Sequence, residues 1–274
     1  MRVLYFNCNA RSNYSGTFTV PSFVLKRILY EKETPDIVVL TEVVPRFEDN
    51  DDYREFDSKY SWYSSEYVQG KKNSVIIAVN KDVEYIDSND TIPGFEKEEE
   101  APDYLNLRVV KNGKKYSIIG FRMLTGGYDY DGERELFDRF IDDKNELVMD
   151  GTVTILVGDF NNAKHYGAIN KTFDEVESEY WKRDWDAERN RYIGKPQKVA
   201  QYNYNLHIIK DLLKSKGLEL IEKEEDYSFE YKFNQIHDDH FFVSENAANK
   251  ASVTFYDSEK PLDHRYFVAM IDED

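Results

Sequence analysis

The sequence predicts an α/β protein in which two β-sheets pack together and helices lie outside them. Three observations predict it. Short, continuous apolar runs rich in Val and Ile read as strands buried on both faces: Val3 to Phe6, Thr34 to Val44, Ser74 to Val79 and Val153 to Val157. Several strands fall in each half of the chain with few helices between them, which does not suit a simple alternating βα barrel. The chain has 274 residues, 41% of them hydrophobic, enough for one large domain.

The elements follow in order. Arg2 to Cys8 opens with a strand that ends at Asn7 and Asn9, which stand two apart and can share one side. Pro21 to Glu33 reads as a helix, with Pro21 in its first turn and Phe23, Val24, Ile28 and Leu29 as its stripe. Glu42 falls near the end of the next strand, and a carboxylate beside so apolar a run needs an ion pair or a cation. Residues 45 to 72 read as loop with short helical or extended pieces, and the acidic run Glu48 to Asp52 as solvated surface. Asp87 to Pro102 reads as a surface loop. Leu105 to Val110 and Lys115 to Phe121 flank Asn112-Gly113, a hairpin signal because a type I′ turn needs positive φ. Glu133 to Met149 reads as an amphipathic helix, with Arg134 in its first turn able to reach back to the preceding loop. Tyr204 to Lys216 reads as a helix stopped by Gly217. Strands follow at Leu218 to Ile221, Tyr227 to Tyr231, Asp239 to Ser244 and Ala251 to Tyr256, and a last one follows Asp263-His264.

Val153 to Asn162 carries the strongest polar signal. Gly158 is expected to stop the strand. Asp159 and Asn161, two apart, then point to one side of a strand mouth, where a rigid strand can hold them against a ligand.

The net charge of −17 disfavours a broad nonspecific grip on a polyanion. A local basic patch or bound divalent metal can invert that field. Such a patch lies within residues 164 to 204, which read as an insertion or substrate loop of the single domain. From Lys182 to Lys198, six basic residues, Arg183 and Arg189 among them, face three acidic ones, and Trp181, Trp185 and Tyr192 are interleaved. Cations for phosphates and aromatic faces for bases suit nucleic acid. An exposed helix with inward aromatics would give the same pattern. The single cysteine, Cys8, excludes an internal disulfide and suits a reducing, cytoplasmic setting. The N-terminus has no apolar signal region, and no apolar run approaches the roughly 20 residues of a membrane span. There is no Gly-rich phosphate loop, no Cys/His zinc spacing and no Gly-x-Ser-x-Gly.

The polar residues singled out lie mostly at strand ends: Asn7, Asn9, Glu42, Asp159, Asn161, Asp239, Asp263 and His264. Hard carboxylate and amide oxygens suit Mg²⁺ or Mn²⁺ and phosphoryl chemistry.

Five segments in order, Phe6 to Asn9, Pro35 to Val43, Gly158 to Asn161, Asp239 to Ser244 and Leu262 to His264, resemble motifs of the endonuclease/exonuclease/phosphatase superfamily, also called DNase-I-like. The resemblance spans nearly the whole chain. It implies a four-layer α/β sandwich of two mixed sheets flanked by helices, and phosphoester hydrolysis with a divalent metal. It implies Glu42 as principal metal ligand with Asn7 and Asp263 beside it. Asp159 would position or activate water, and Asn161 would hold a phosphate oxygen. His264, oriented by Asp239, would contact the scissile phosphate or act as base. Nucleic acid is the expected substrate. A small nucleotide, sugar phosphate or phospholipid headgroup is the alternative, as is an inactive binding module on the same scaffold. One departure stands out. Arg122 occupies the place where the family often has histidine or tyrosine. An arginine stays protonated and suits a phosphate clamp better than a general acid. A displaced alignment would put Tyr128 or Tyr130 there instead.

Overall fold

A computed structural model describes residues 1–8, 19–65, 74–89, 103–123, 148–149, 151–165, 184–186, 191–193, 209–223, 227–231, 234–258 and 264–272. In chain order its strands are β1 (Arg2–Asn7), β2 (Ile37–Val43), β3 (Tyr60–Ser64), β4 (Ser74–Asn80), β5 (Glu84–Asn89), β6 (Asp103–Lys111), β7 (Lys114–Arg122) and β8 (Thr152–His165). Then come β9 (Asp184–Asp186), β10 (Arg191–Ile193), β11 (Leu218–Leu220), β12 (Phe229–Tyr231), β13 (Asn234–Ser244), β14 (Ala251–Tyr256) and β15 (Tyr266–Ile271). One sheet runs β14-β15-β1-β2-β4-β3, with β1 and β2 parallel. The other runs β11-β13-β8-β7-β6-β5, with β12 added on β13 and with β7 and β8 parallel. Both are therefore mixed. β9 and β10 form a separate antiparallel pair.

The continuous apolar runs are explained by layers on both sides of each sheet. Val3 and Tyr5, Ile37 and Val39, and Ile77 and Val79 meet Leu107, Ile118, Val157 and Phe241 between the sheets. The alternate residues Leu4, Phe6, Val38, Leu40 and Ile76 face outward. They lie under α1 (Ser22–Leu29) and α2 (Asp51–Lys59), which contribute Val24, Leu25, Ile28 and Phe56. On the far side Ile119, Phe121, Leu156 and Phe242 meet Ile209 and Leu213 of the helical residues 209–215. The result is the expected four-layer sandwich. Among the described residues no helix is long and apolar enough to cross a membrane.

Two expectations change. The strand from Val153 does not stop at Gly158 but runs on to His165, because β13 keeps pairing with it as far as Ile236 opposite His165. Gly158 is needed there for a different reason: a Cβ at this position would lie 1.7 Å from the carbonyl oxygen of Phe121. Residues 87–89 belong to strand β5 rather than to a surface loop, paired with β6. Within 45–72 the expected short helical piece is α2, and Glu48, Asp49 and Asp51 of the acidic run are exposed, as expected. The Asn50 side chain accepts from the Tyr53 amide at 2.9 Å, and Asp51 and Asp52 sit in the first turn, where carboxylates favour the helix dipole. The expected helix at 133–149 falls outside the described residues apart from 148–149, which are not helical.

Candidate active site

Strand register builds the site. Asp103 of β6 is opposite Arg122 of β7, Arg122 opposite Asp159 of β8, and Asp159 opposite Asp239 of β13. Four polar residues thus form one row across four neighbouring strands. On the facing sheet, Tyr5 and Asn7 of β1 run beside Thr41 and Glu42 of β2, with Asn7 opposite Thr41. All of these side chains are buried.

Hydrogen bonds join the two sheets through this row. Asn7 Nδ2 donates to Asp159 Oδ2 at 3.1 Å. Tyr5 Oη donates to Asp239 Oδ1 at 2.5 Å and shares a 2.7 Å bond with the Thr41 hydroxyl. Arg122 donates from Nε and Nη2 to Glu42 Oε1, at 3.2 and 3.1 Å, and from Nη1 to Asp103 Oδ2 at 3.2 Å. His264 Nδ1 lies 2.7 Å from Asp239 Oδ2. The Ser228 hydroxyl accepts from the backbone amides of Asp238 and Asp239, and the Ser228 carbonyl accepts from the Arg265 amide, which ties the His264 segment to β13.

Two site residues hold left-handed backbone. Glu42 has φ 50° where the pairing of β2 with β4 shifts register between Leu40 and Val43. Asn161 has φ 47° within β8. Non-glycine residues adopt this region at a cost that the surrounding structure must offset, and such positions concentrate at functional sites.

The electrostatics follow from burial and mutual charge. Burial and then the charge of Asp239 push the Asp159 carboxyl up to about 6. Burial alone would lower His264, but the charge and hydrogen bond of Asp239 overrule it and push it up to about 9. Burial would raise Asp239 in turn, yet the His264 charge and hydrogen bonds hold it below the usual carboxylate range. Burial, reinforced by Asp239 and Asp159, keeps the Tyr5 phenol protonated. Among the described residues, the carboxylates of Glu42, Asp103, Asp159 and Asp239 lie with the cations Arg122 and His264, and the Asp238 charge also acts on His264.

The structure therefore brings Asn7, Glu42, Arg122, Asp159, Asn161, Asp239 and His264 into one region. The Arg122 guanidinium is buried on Glu42 and Asp103. The Asn161 side chain donates to the Met123 carbonyl at 2.6 Å, and its backbone amide to Asp159 Oδ1 at 2.9 Å. Asn9, Asp263, Arg134, Trp181, Arg183, Arg189, Tyr128 and Tyr130 lie outside the described residues. Of the basic and aromatic segment, the described residues form β9 and β10, with Trp185 opposite Tyr192. Sequence reasoning missed Tyr5, Thr41, Asp103 and Ser228. Asp103 carried a signal, since a charged residue beginning an apolar strand needs a partner.

No family model and no curated protein matches the sequence. Solved structures do match. A Neisseria 3′ phosphatase, NExo, bound to a product DNA hairpin aligns with TM-score 0.64 and 16% identity over 100% of both chains. An AP endonuclease from Archaeoglobus fulgidus aligns with TM-score 0.62 and 17% identity over 100% of both. Truncated TDP2 from Caenorhabditis elegans aligns with TM-score 0.60 and 14% identity, over 98% of this chain and 95% of the other. At these identities the likeness concerns the fold.

Proposed function

We propose that this chain, which has the DNase-I-like fold, is a divalent-metal-dependent phosphodiesterase, and specifically a nuclease that hydrolyses DNA or RNA. The observation that carries the proposal is the inter-sheet row in which Asp159, Asp239 and His264 meet beside Asn7 and Glu42. Solved structures of this fold include a 3′ phosphatase bound to a DNA hairpin and a TDP2 bound to a single-stranded DNA product.

A divalent ion fits the donor set. The carboxylate oxygens of Glu42 and the amide oxygen of Asn7 are hard donors, and both side chains are buried on the neighbouring strands β2 and β1. Glu42 and Asn7 would hold the ion, with Asp263 from the segment before His264. Mg²⁺ and Mn²⁺ both suit these ligands. When bound, such an ion polarises a phosphoryl oxygen and stabilises the leaving oxyanion. Arg122 is a positioning residue that holds the Glu42 carboxylate.

Asp159, ionised above about pH 6, accepts the proton of the attacking water. His264, pushed up to about 9, is protonated at neutral pH, so it serves as a cationic donor to a phosphate oxygen rather than as the base. Asp239 fixes its ring, and Tyr5 fixes Asp239. Asn161 ties the end of β7 to Asp159. Asn9, Arg134, Trp181, Arg183 and Arg189 are the proposed nucleic-acid contacts, within a single domain whose substrate loop, expected at 164–204, begins beyond the end of β8 at His165. The single cysteine, Cys8, is buried, which suits a cytoplasmic setting.

The test is a cleavage panel of supercoiled plasmid, abasic duplex, single-stranded DNA, RNA and a chromogenic phosphodiester, with Mg²⁺, Mn²⁺ or EDTA. Metal-dependent cutting of a polynucleotide, lost in Glu42→Ala and His264→Ala, is the expected result. Hydrolysis of no phosphoester would overturn it. The net charge of −17 favours a second reading, a small phosphoester substrate, and turnover of the chromogenic ester alone would select it.

A further inference from the structure

Strand β13 carries a second cluster, in which His237 packs 5.1 Å from Phe255 of β14 and His240 faces outward. Asp239 and Phe241 point between the sheets, whereas His240 turns outward beside Phe160 and Phe242. His237 stands three residues before His240, so strict alternation would put the two rings on opposite faces. The register of β13 against β8 shifts between His237 and Asp239, and the ring centroids of His237 and His240 lie 4.6 Å apart. An irregularity of this kind re-aims a side chain. Glu222, two residues past the end of β11, adds a carboxylate whose Oε2 is 3.5 Å from His237 Nδ1. One ligand atom from each of Glu222, His237 and His240 lies within 4.8 Å of the others, with both histidines buried.

We propose that Glu222, His237 and His240 bind a transition-metal ion of the zinc class at a site separate from Glu42 and Asn7. Two imidazoles with one carboxylate favour zinc over the hard ions that suit the all-oxygen centre. Donor atoms about 2.1 Å from a tetrahedral ion stand about 3.4 Å from one another. The Glu222–His237 separation already has that length, and the three donor atoms all lie within 4.8 Å of one another. The ion joins the segment after β11 to the strand that carries Asp239, so its effect is to brace the outer side of the strand behind the catalytic row. The site does not depend on the nuclease reading.

The full chain is equilibrated with zinc chloride, desalted in excess Mg²⁺ and assayed for metal by mass spectrometry. One zinc per chain is expected, retained in Glu42→Gln and lost in Glu222→Gln and His240→Asn. Zinc should raise the melting temperature of the wild type in excess Mg²⁺ and leave Glu222→Gln unmoved. Cobalt chloride should give the visible bands of a four-coordinate site in the wild type, a readout that needs no variant to fold. Absence of both zinc and the cobalt bands in the wild type would overturn the proposal. So would zinc that persists in Glu222→Gln and His240→Asn but is lost in Glu42→Gln.

Discussion

Arg122 and Glu42 form a buried ion pair across the two sheets, with both Nε and Nη2 of the arginine on the same carboxylate oxygen and each side chain 1% exposed. Asp103 takes the third bond. Removing the arginine would leave two buried carboxylates without their cation. Arg122→Met is therefore expected to lower stability by about 3–5 kcal/mol in urea denaturation, the range for breaking a buried pair from one side. Combining it with Glu42→Gln should recover part of that loss. Strict additivity of the two substitutions would show that they do not interact.

Under the proposed function, Asp159 should set the pH dependence of activity. Its proton leaves near pH 6, so turnover should rise with pH through that value and level off above it. Asp159→Asn should abolish the rising limb and lower kcat by about 10²–10⁴, the span of a lost general base. Stability should move the other way. The folded pKa is raised above the ordinary 3.8, so this group's contribution is fully present below pH 3.8 and lost as pH rises through 6. The asparagine variant should match or exceed the wild type in thermal unfolding at pH 7 and lose that advantage near pH 4.

His264 should remain protonated at neutral pH, observable in its imidazole NMR shifts, and titrate near 9. Because the folded pKa is raised above 6.5, its stabilising contribution is complete below pH 6.5 and disappears as pH rises through 9. In Asp239→Asn burial still lowers the histidine while the charges of Asp159 and Asp238 still raise it, so it should titrate below 9 and the alkaline loss of stability should shrink. An unchanged titration would refute the pairing.

Tyr5→Phe removes one hydroxyl and leaves the ring stack on Phe267, 4.8 Å away, intact. It deprives Asp239 of a donor and Thr41 of its partner. A stability loss of about 1–3 kcal/mol is expected in the same urea assay. Turnover should fall less than in His264→Ala, because the imidazole keeps its carboxylate.

The layers were legible because burial on both faces leaves a local mark: Ile37 to Leu40 and Val153 to Val157 show no polar alternation to read. The hairpin at Asn112 was legible because its turn chemistry is local, and the structure gives Asn112 and Gly113 the positive φ it requires. Tyr5 was not legible as a site residue, and Asp103 was legible only as a charge in need of a partner. Their roles depend on which residue of another strand lies opposite, and register between distant strands leaves no mark on either one alone. Arg122 was visible as an oddity at a strand end, but its partners lie 80 and 19 residues away. The course of β8 past Gly158 was hidden for the same reason, since its continuation is dictated by β13.

The row Asp103, Arg122, Asp159 and Asp239 has a consequence for how such a chain can change. Its members stay level only while β6, β7, β8 and β13 keep their present phase, and a slip of one residue would turn a charged group into the greasy outer layer against residues 209–215. Insertions or deletions within these strands should therefore be forbidden by the chemistry itself. Under the proposed function, new substrate preferences would have to arise from lengthening and shortening the segments beyond the strand ends, over a centre whose spacing is locked by the weave beneath it.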